Sequence, residues 1–374
     1  MAGLYIHIPF CKQKCHYCDF HFAISQKNKP AVLEGLNKEL ELKKVFVKAP
    51  LETIYFGGGT PSVLSAAEIE RLITSIRTHY SIVEQPEITL EANPDDLSED
   101  FLKRLFKFGF NRLSIGVQSF FDEDLKFLNR AHSGQEAIKA IKTAQQIGFK
   151  NITIDLIYGI PGLTKEKWMQ NIETFLSLKI PHLSSYALTV EPQTALDHFI
   201  KTKQYPPLDE ELALEHFNIL RTSLKTHNYM HYELSNFAKK GYISRHNTSY
   251  WQSKSYIGIG PSAHSYYLNT RTWNVANNSR YYKALQQGII PEETEQLSDK
   301  ERYNEYIMTG LRTMWGVDLE YIKDNFGQEY KTYLIKNATL YIENKQLEVI
   351  SNRLIVSDKS FFLIDGIIAD LFYV

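Results

Sequence analysis

Residues 5–18 read Tyr5-Ile-His-Ile-Pro-Phe-Cys11-Lys-Gln-Lys-Cys15-His-Tyr-Cys18, and the reading of the fold starts from them. The run 4–8 (LYIHI) is apolar and β-branched, as a buried strand is. Three cysteines follow it in the spacing CxxxCxxC, and they are the only 3 cysteines in the chain. An odd number packed this tightly is no disulfide framework. Thiolates are the usual ligands of iron-sulfur clusters, and three of them on a four-iron cluster leave one iron open to an exogenous ligand. Two other readings stand beside that one. The cysteines are buried free thiols, or they bind zinc with His16 or His21 as the fourth ligand.

Further along, short β-branched runs alternate with segments of helical period, the pattern of repeated βα units around a parallel sheet. Strands are predicted at 4–8, 52–56, 87–91, 112–117, 152–157 and 183–188. Helices are predicted between and after them at 29–46, 65–80, 98–108, 134–147, 164–178 and 208–227. Ser65, Ser98 and Thr164 are placed to cap three of these helices. The cysteine run then occupies the loop after the first strand, at the C-terminal mouth where parallel α/β barrels place their chemistry.

A second motif, Gly57-Gly58-Gly59-Thr60-Pro61-Ser62, directly follows the second strand. Its backbone can approach a ligand closely and offer amides to it, although a tight turn would have the same composition. Polar residues recur at the ends of the next strands: Glu91 and Asn93, Gln118 and Ser119, and Asp155. In parallel strands buried on both faces each of these needs a partner, and several around one mouth point to a polar ligand. Arg130 adds a cation. A third motif, Arg245-His246-Asn247-Thr248-Ser249-Tyr250-Trp251, sets a histidine among aromatics. His246 suits a metal or haem iron, and it equally suits a loop that fills the barrel with aromatic packing.

Residues 231–290 are rich in Tyr, Asn, Ser and Gly and read as ordered loops over the mouth. After Pro291 helical period returns at 299–313, 318–326 and 329–343. Strands at 346–350 and 353–356 and a last helix at 359–372 complete a helical, winged-helix-like domain. The expected division is therefore 1–230, 231–290 and 291–374.

With YIHIPFC, GGGTPS, LEANPDD, SIGVQSF, IDLIYGIPG and HYELSNFA in place, the chain resembles the radical SAM family. Within it the likeness is to the branch of oxygen-independent coproporphyrinogen III oxidases and the related HemW haem chaperones. The resemblance implies an α/β fold, a partial (β/α)6 TIM-like barrel followed by a HemN-type C-terminal domain. It implies a 4Fe-4S cluster on Cys11, Cys15 and Cys18 whose open iron is chelated by S-adenosylmethionine. The cofactor pocket carries over to Tyr5, Tyr17, Gly58, Gly59, Thr60, Glu91, Gln118, Arg130, Asp155 and Ala187. In the oxidase branch, Gln118, Arg130 and Asp155 match residues that serve a second S-adenosylmethionine.

Two differences separate the branches. The oxidases carry a further Cys in the form CxxxCxxCxC where this chain has Phe20, and they place a long extension ahead of the cluster, whereas here the first ligand is residue 11. Both point toward the haem chaperones, as does HNTSYW at 246–251, the HNxxYW motif that makes His246 the expected haem residue. The implied partners are haem, haem-acceptor proteins such as respiratory enzymes, and an electron donor of the flavodoxin or ferredoxin type. Transient membrane association and dimer formation are further expectations. The alternative is radical decarboxylation of coproporphyrinogen III propionates.

Composition bounds the rest. With 42 Lys plus Arg against 43 Asp plus Glu, there is no global attraction to nucleic acid. No run of about 18 apolar residues could span a bilayer, and a cytoplasmic protein is expected.

Overall fold

A computed structural model describes residues 2–374. Six parallel strands form its centre: β1 (Ala2–Ile8), β2 (Leu51–Gly58), β3 (Ile82–Ala92), β4 (Arg112–Gln118), β5 (Asn151–Tyr158) and β6 (His182–Ala187). They pair in that order. The connections run through helices Lys29–Lys43, Ala66–His79, Glu99–Lys107, Gly134–Ile147 and Lys165–Ser177, and Glu210–Thr226 follows β6. Each predicted strand and helix of this region is present. Ser65, Ser98 and Thr164 accept the amide protons of Glu68, Phe101 and Lys167, as capping side chains. The shorter helices Asp122–Phe127 and Ala195–Lys201 were not anticipated, being too brief to show a period.

One face of each strand is apolar. Leu4, Ile6, Ile54, Phe56, Leu90, Leu113, Ile115, Ile154, Leu156 and Leu183 are fully buried in the core. The opposite face is polar, and in-register pairing arranges it in rows. One row passes through Tyr5, Tyr55, Thr89, Arg112 and Asn151, and the next through Glu91, Ser114, Thr153 and His182. The interior of this partial barrel is therefore polar from floor to mouth, and the apolar packing lies between the sheet and its surrounding helices.

The stretch 231–290 corrects the expectation of loops over the mouth. It supplies strands that extend the sheet at both ends. At one end β7 (Met230–Glu233) and β8 (Asn236–Ala238) join β6 antiparallel. At the other, β9 (Tyr256–Ile259) runs parallel to β1 and is followed outward by β10 (His264–Tyr267), β11 (Thr270–Asn274) and β12 (Glu292–Gln296). These strands are mostly four or five residues long, and only long-range pairing defines them. The helix Arg245–Trp251, which carries HNTSYW, also departs from its expected place. It packs at the start of β2 and β3, on the floor of the barrel.

Beyond β12, helices Asp299–Leu311, Leu319–Phe326 and Gln328–Glu343 pack with a small sheet of β13 (Val317–Asp318), β14 (Leu347–Ile350) and β15 (Arg353–Val356). The helix Ile364–Leu371 closes this module. It is joined to the barrel by Met314, whose amide donates to the Tyr232 carbonyl at 2.9 Å, and by Arg221. The Arg221 guanidinium pairs with Asp358 and lies 5.5 Å from the ring centres of Phe217 and Phe361.

Candidate metal and cofactor centre

The cysteine loop is held from two sides. On one side, the Cys11 amide donates to the Ala23 carbonyl at 3.1 Å, and Cys11 is buried. On the other, residues 127–130 clamp it. The His16 amide donates to Leu128 O at 3.1 Å, His16 Nδ1 lies 2.8 Å from Phe127 O, and the Asn129 side chain bonds Gln13 and the Lys14 carbonyl. His21 Nε2 lies 2.9 Å from Asn278 Oδ1. Each histidine is oriented through one ring nitrogen, His16 by Nδ1 and His21 by Nε2. Among the described residues no three His, Cys, Asp or Glu side chains converge on a single ion. Three thiols spread along a loop fit the wider face of a cluster better than one metal ion.

The glycine turn lies against this loop. Its amides do not all face a ligand, as its composition suggested. Gly59 N donates to Ile8 O at 2.9 Å, and Thr60 N donates to Phe10 O at 2.8 Å. Glycine is required at 59, because a Cβ there would lie 2.7 Å from Phe10 O and 3.0 Å from Ile8 O. The turn thus fastens the strand end to the cysteine loop. Thr60 Oγ1 then reaches Cys11 Sγ at 3.4 Å.

Arg130 enters from the clamp. Its Nη1 donates to Cys15 Sγ at 3.2 Å, and its Nη2 to Asn93 Oδ1 and Gly116 O, each at 2.7 Å. Its Nε is buried without a partner among the described residues. A guanidinium placed on a thiol and still holding an unused donor suits an anionic cluster and a polar cofactor beside it. Burial pushes the Cys11 thiol up to about 11, an effect that Thr60 and Arg130 oppose. Charge or metal at this spot must therefore supply what the protein surroundings withhold from the thiolate.

Cys11, Cys15 and Cys18 line a cavity of about 860 Å³ at the barrel mouth. Tyr17, Gly58, Gly59, Thr60, Glu91, Gln118, Arg130, Asp155 and Ala187 line the same cavity. Tyr5 does not. Its ring lies below, stacked 6.1 Å from Tyr55, with its hydroxyl 3.3 Å from His7 Nδ1. Gln118 takes a left-handed φ of 70° at an irregularity in the β4 ladder. The break in the ladder sets Gln118 at the cavity wall. Burial raises the Glu91 carboxyl to about 7 and Asp155 to about 6. Their mutual repulsion adds to the Glu91 shift, and the Arg112 charge opposes both.

The cavity has a second, apolar side that sequence reasoning missed. Ile157, Leu188, Phe217, Leu234, Phe362 and Ile364 form it, from β5, the region after β6 and the C-terminal module. Nothing local in the sequence marks Phe362 or Ile364 as neighbours of the cysteines.

His246 stands apart from all of this. It is 1% exposed, with Nδ1 2.7 Å from Thr53 Oγ1 and Nε2 2.7 Å from the Tyr250 hydroxyl. Both ring nitrogens are engaged on the barrel floor, and burial lowers its basicity to about 3. The residue expected to meet haem thus lies outside the cavity that the cysteines line.

A partial barrel with a cysteine triad at its mouth is the architecture of the radical SAM superfamily, and residues 5–175 match that superfamily. Residues 297–363 match the HemN C-terminal domain. The chain is 37% identical to the heme chaperone HemW of Bacillus subtilis, covering 88% of each chain, and 36% identical to that of Lactococcus lactis, covering 96% of this chain and 94% of the relative. It belongs to the HemW family of radical SAM proteins. The fold is also that of coproporphyrinogen III oxidase (HemN) from Escherichia coli, a radical SAM enzyme, with a TM-score of 0.87 at 23% identity over 99% of this chain and 90% of that one.

Proposed function

We propose that the chain is a haem chaperone that holds a 4Fe-4S cluster on Cys11, Cys15 and Cys18, binds S-adenosylmethionine beside it, and carries haem to acceptor proteins such as respiratory enzymes. The observation that carries this reading is the two-sided cavity: thiols, Arg130, Glu91 and Asp155 on one side, an apolar wall completed by Phe362 and Ile364 on the other. The polar side suits the amino, carboxylate and ribose groups of S-adenosylmethionine, with Gln118, Arg130 and Asp155 nearest in kind to such a ligand. When bound, the cluster would offer its open iron to the cofactor's amino and carboxylate groups and supply an electron to it. A donor of the flavodoxin or ferredoxin type would provide that electron.

The apolar wall suits a flat macrocycle, whose faces gain most from burial against aliphatic and aromatic side chains. His246 then supports the floor and takes no part as an axial ligand. Cytoplasmic residence, transient contact with a membrane during transfer, and dimer formation belong to the same proposal; no helix among the described residues is long and apolar enough to cross a bilayer.

The test is an anaerobic haem titration of the reconstituted protein followed by absorption. Saturable binding is expected, weakened in Phe362→Ala and unchanged in band position in folded His246→Ala. Absence of saturable binding in the wild type defeats the function. Anaerobic turnover of coproporphyrinogen III to protoporphyrinogen would instead favour oxidase chemistry.

A further inference from the structure

The HNTSYW motif lies away from the mouth, yet its histidine is connected to the cofactor pocket through one tyrosine. The His246 ring stacks on Tyr55, with centroids 4.9 Å apart and planes 21° from parallel. The Tyr55 hydroxyl donates to Glu91 Oε1 at 2.7 Å, and Glu91 lines the cavity. The imidazole itself is fixed on three sides. Thr53 and Tyr250 hold its two nitrogens, and the Glu87 carboxylate accepts its backbone amide at 2.9 Å and that of Arg245 at 3.1 Å.

Glu87 and Glu91 lie four residues apart on one strand, so they face the same interior two levels apart, with Thr89 between them. The first anchors the motif and the second forms the pocket. Gly3 completes the seat, since a Cβ there would lie 3.1 Å from Thr53 Oγ1 and 3.3 Å from His246 Cε1.

We infer that His246 is a positioning residue for the S-adenosylmethionine pocket: clamped between Thr53 and Tyr250, it holds the Tyr55 ring, which in turn fixes the Glu91 carboxylate at the cavity wall. The inference rests on the reading that Glu91 belongs to the cofactor pocket. The Tyr55 ring has two stacked neighbours, Tyr5 at 6.1 Å and His246 at 4.9 Å, of which the imidazole is the nearer. The imidazole remains neutral, because burial and the nearby Arg112 charge disfavour protonation. The tyrosine of the motif is thereby given a role that requires no ligand on the histidine.

The experiment is a titration of the reduced, reconstituted protein with S-adenosylmethionine, read from the perturbation of the cluster's paramagnetic spectrum. Variants are compared only at equal iron content and equal circular dichroism. Tyr55→Phe and His246→Ala should each weaken apparent affinity about tenfold, the worth of one net hydrogen bond. The double variant should be no weaker than the stronger single one, because both act through one path. His246→Asn, which can still reach Thr53, should recover part of the loss. Should His246→Ala not fold, Gly3→Ala crowds the same ring, its Cβ lying 3.3 Å from His246 Cε1.

Wild-type affinity in folded His246→Ala or Gly3→Ala, beside weakened Tyr55→Phe and Glu91→Gln, overturns the inference, as does additivity in the double variant. Wild-type affinity in Glu91→Gln overturns the pocket reading on which it stands.

Discussion

Gly59→Ala is the smallest change that should separate the cysteine loop from the barrel. The added methyl would sit 2.7 Å from Phe10 O, 3.0 Å from Phe10 C and 3.0 Å from Ile8 O. All three are backbone atoms, which cannot rotate away as a side chain could. Forcing such a contact costs about 1–3 kcal/mol. Relief requires the turn to withdraw, which breaks Gly59 N to Ile8 O and Thr60 N to Phe10 O, at about 1 kcal/mol each. By either route the cost is about 1–3 kcal/mol, and it falls on the contact that also brings Thr60 Oγ1 to Cys11 Sγ. Iron per chain after anaerobic reconstitution should drop, and thermal unfolding of the apoprotein should shift down. Gly366→Ala is the control. It sits in the helix Ile364–Leu371 with nothing within 4 Å of its added Cβ, and alanine there should stabilise by about 0.5–1 kcal/mol. If Gly59→Ala binds iron and unfolds like the wild type while the control behaves as stated, the fastening role of the turn is wrong.

Other expectations follow from the same geometry. Burial raises Glu91 from its ordinary 4.5 to about 7, so the folded state favours the protonated acid. Its contribution to stability is full below pH 4.5 and is lost as pH rises through about 7. At about 1.4 kcal/mol per pH unit this is worth about 3 kcal/mol. Apo Glu91→Gln should therefore gain on the wild type by that amount between pH 4 and 8 in denaturant unfolding, and a constant difference would contradict the buried-acid account. Asp358→Ala should cost only about 0.2–1 kcal/mol because Asp358 is largely exposed. Arg221→Ala should cost more, since its guanidinium also covers Phe217 and Phe361; equal midpoints in paired unfolding curves would count against that packing. Gly3→Ala should cost less than Gly59→Ala, because its Cβ would meet only the side chains of Thr53 and His246, at 3.1 and 3.3 Å, as measured by the same curves.

The parallel core was legible because its outward face is a run of β-branched and aliphatic residues and its helices begin on Ser or Thr caps. The inner face was legible only at its upper end. Glu91, Gln118 and Asp155 drew attention as polar residues near strand ends, but the alternation continues downward through Thr89, Arg112 and Thr153. It went unread because parallel strands are ordinarily apolar on both faces. The cysteine loop and the glycine turn announced themselves by spacing, and Arg130 by its motif. The 231–290 region gave no such signal. Its strands are too short for a period and pair with partners far away in sequence. His246 carries the same letters whether it faces a ligand or stacks on Tyr55, and only the pairing of β2 with β3 decides between them. Phe362 and Ile364 were invisible as site residues for a related reason, because their nearness to the cysteines is purely tertiary.

That last proximity has a consequence in time. Translation makes the cysteine loop before the residues that wall the other side of its cavity, so the polar side exists before the apolar one. Until Phe362 and Ile364 dock, the thiols lie in a cradle open on that side. Order of synthesis thus orders the two walls of the cavity.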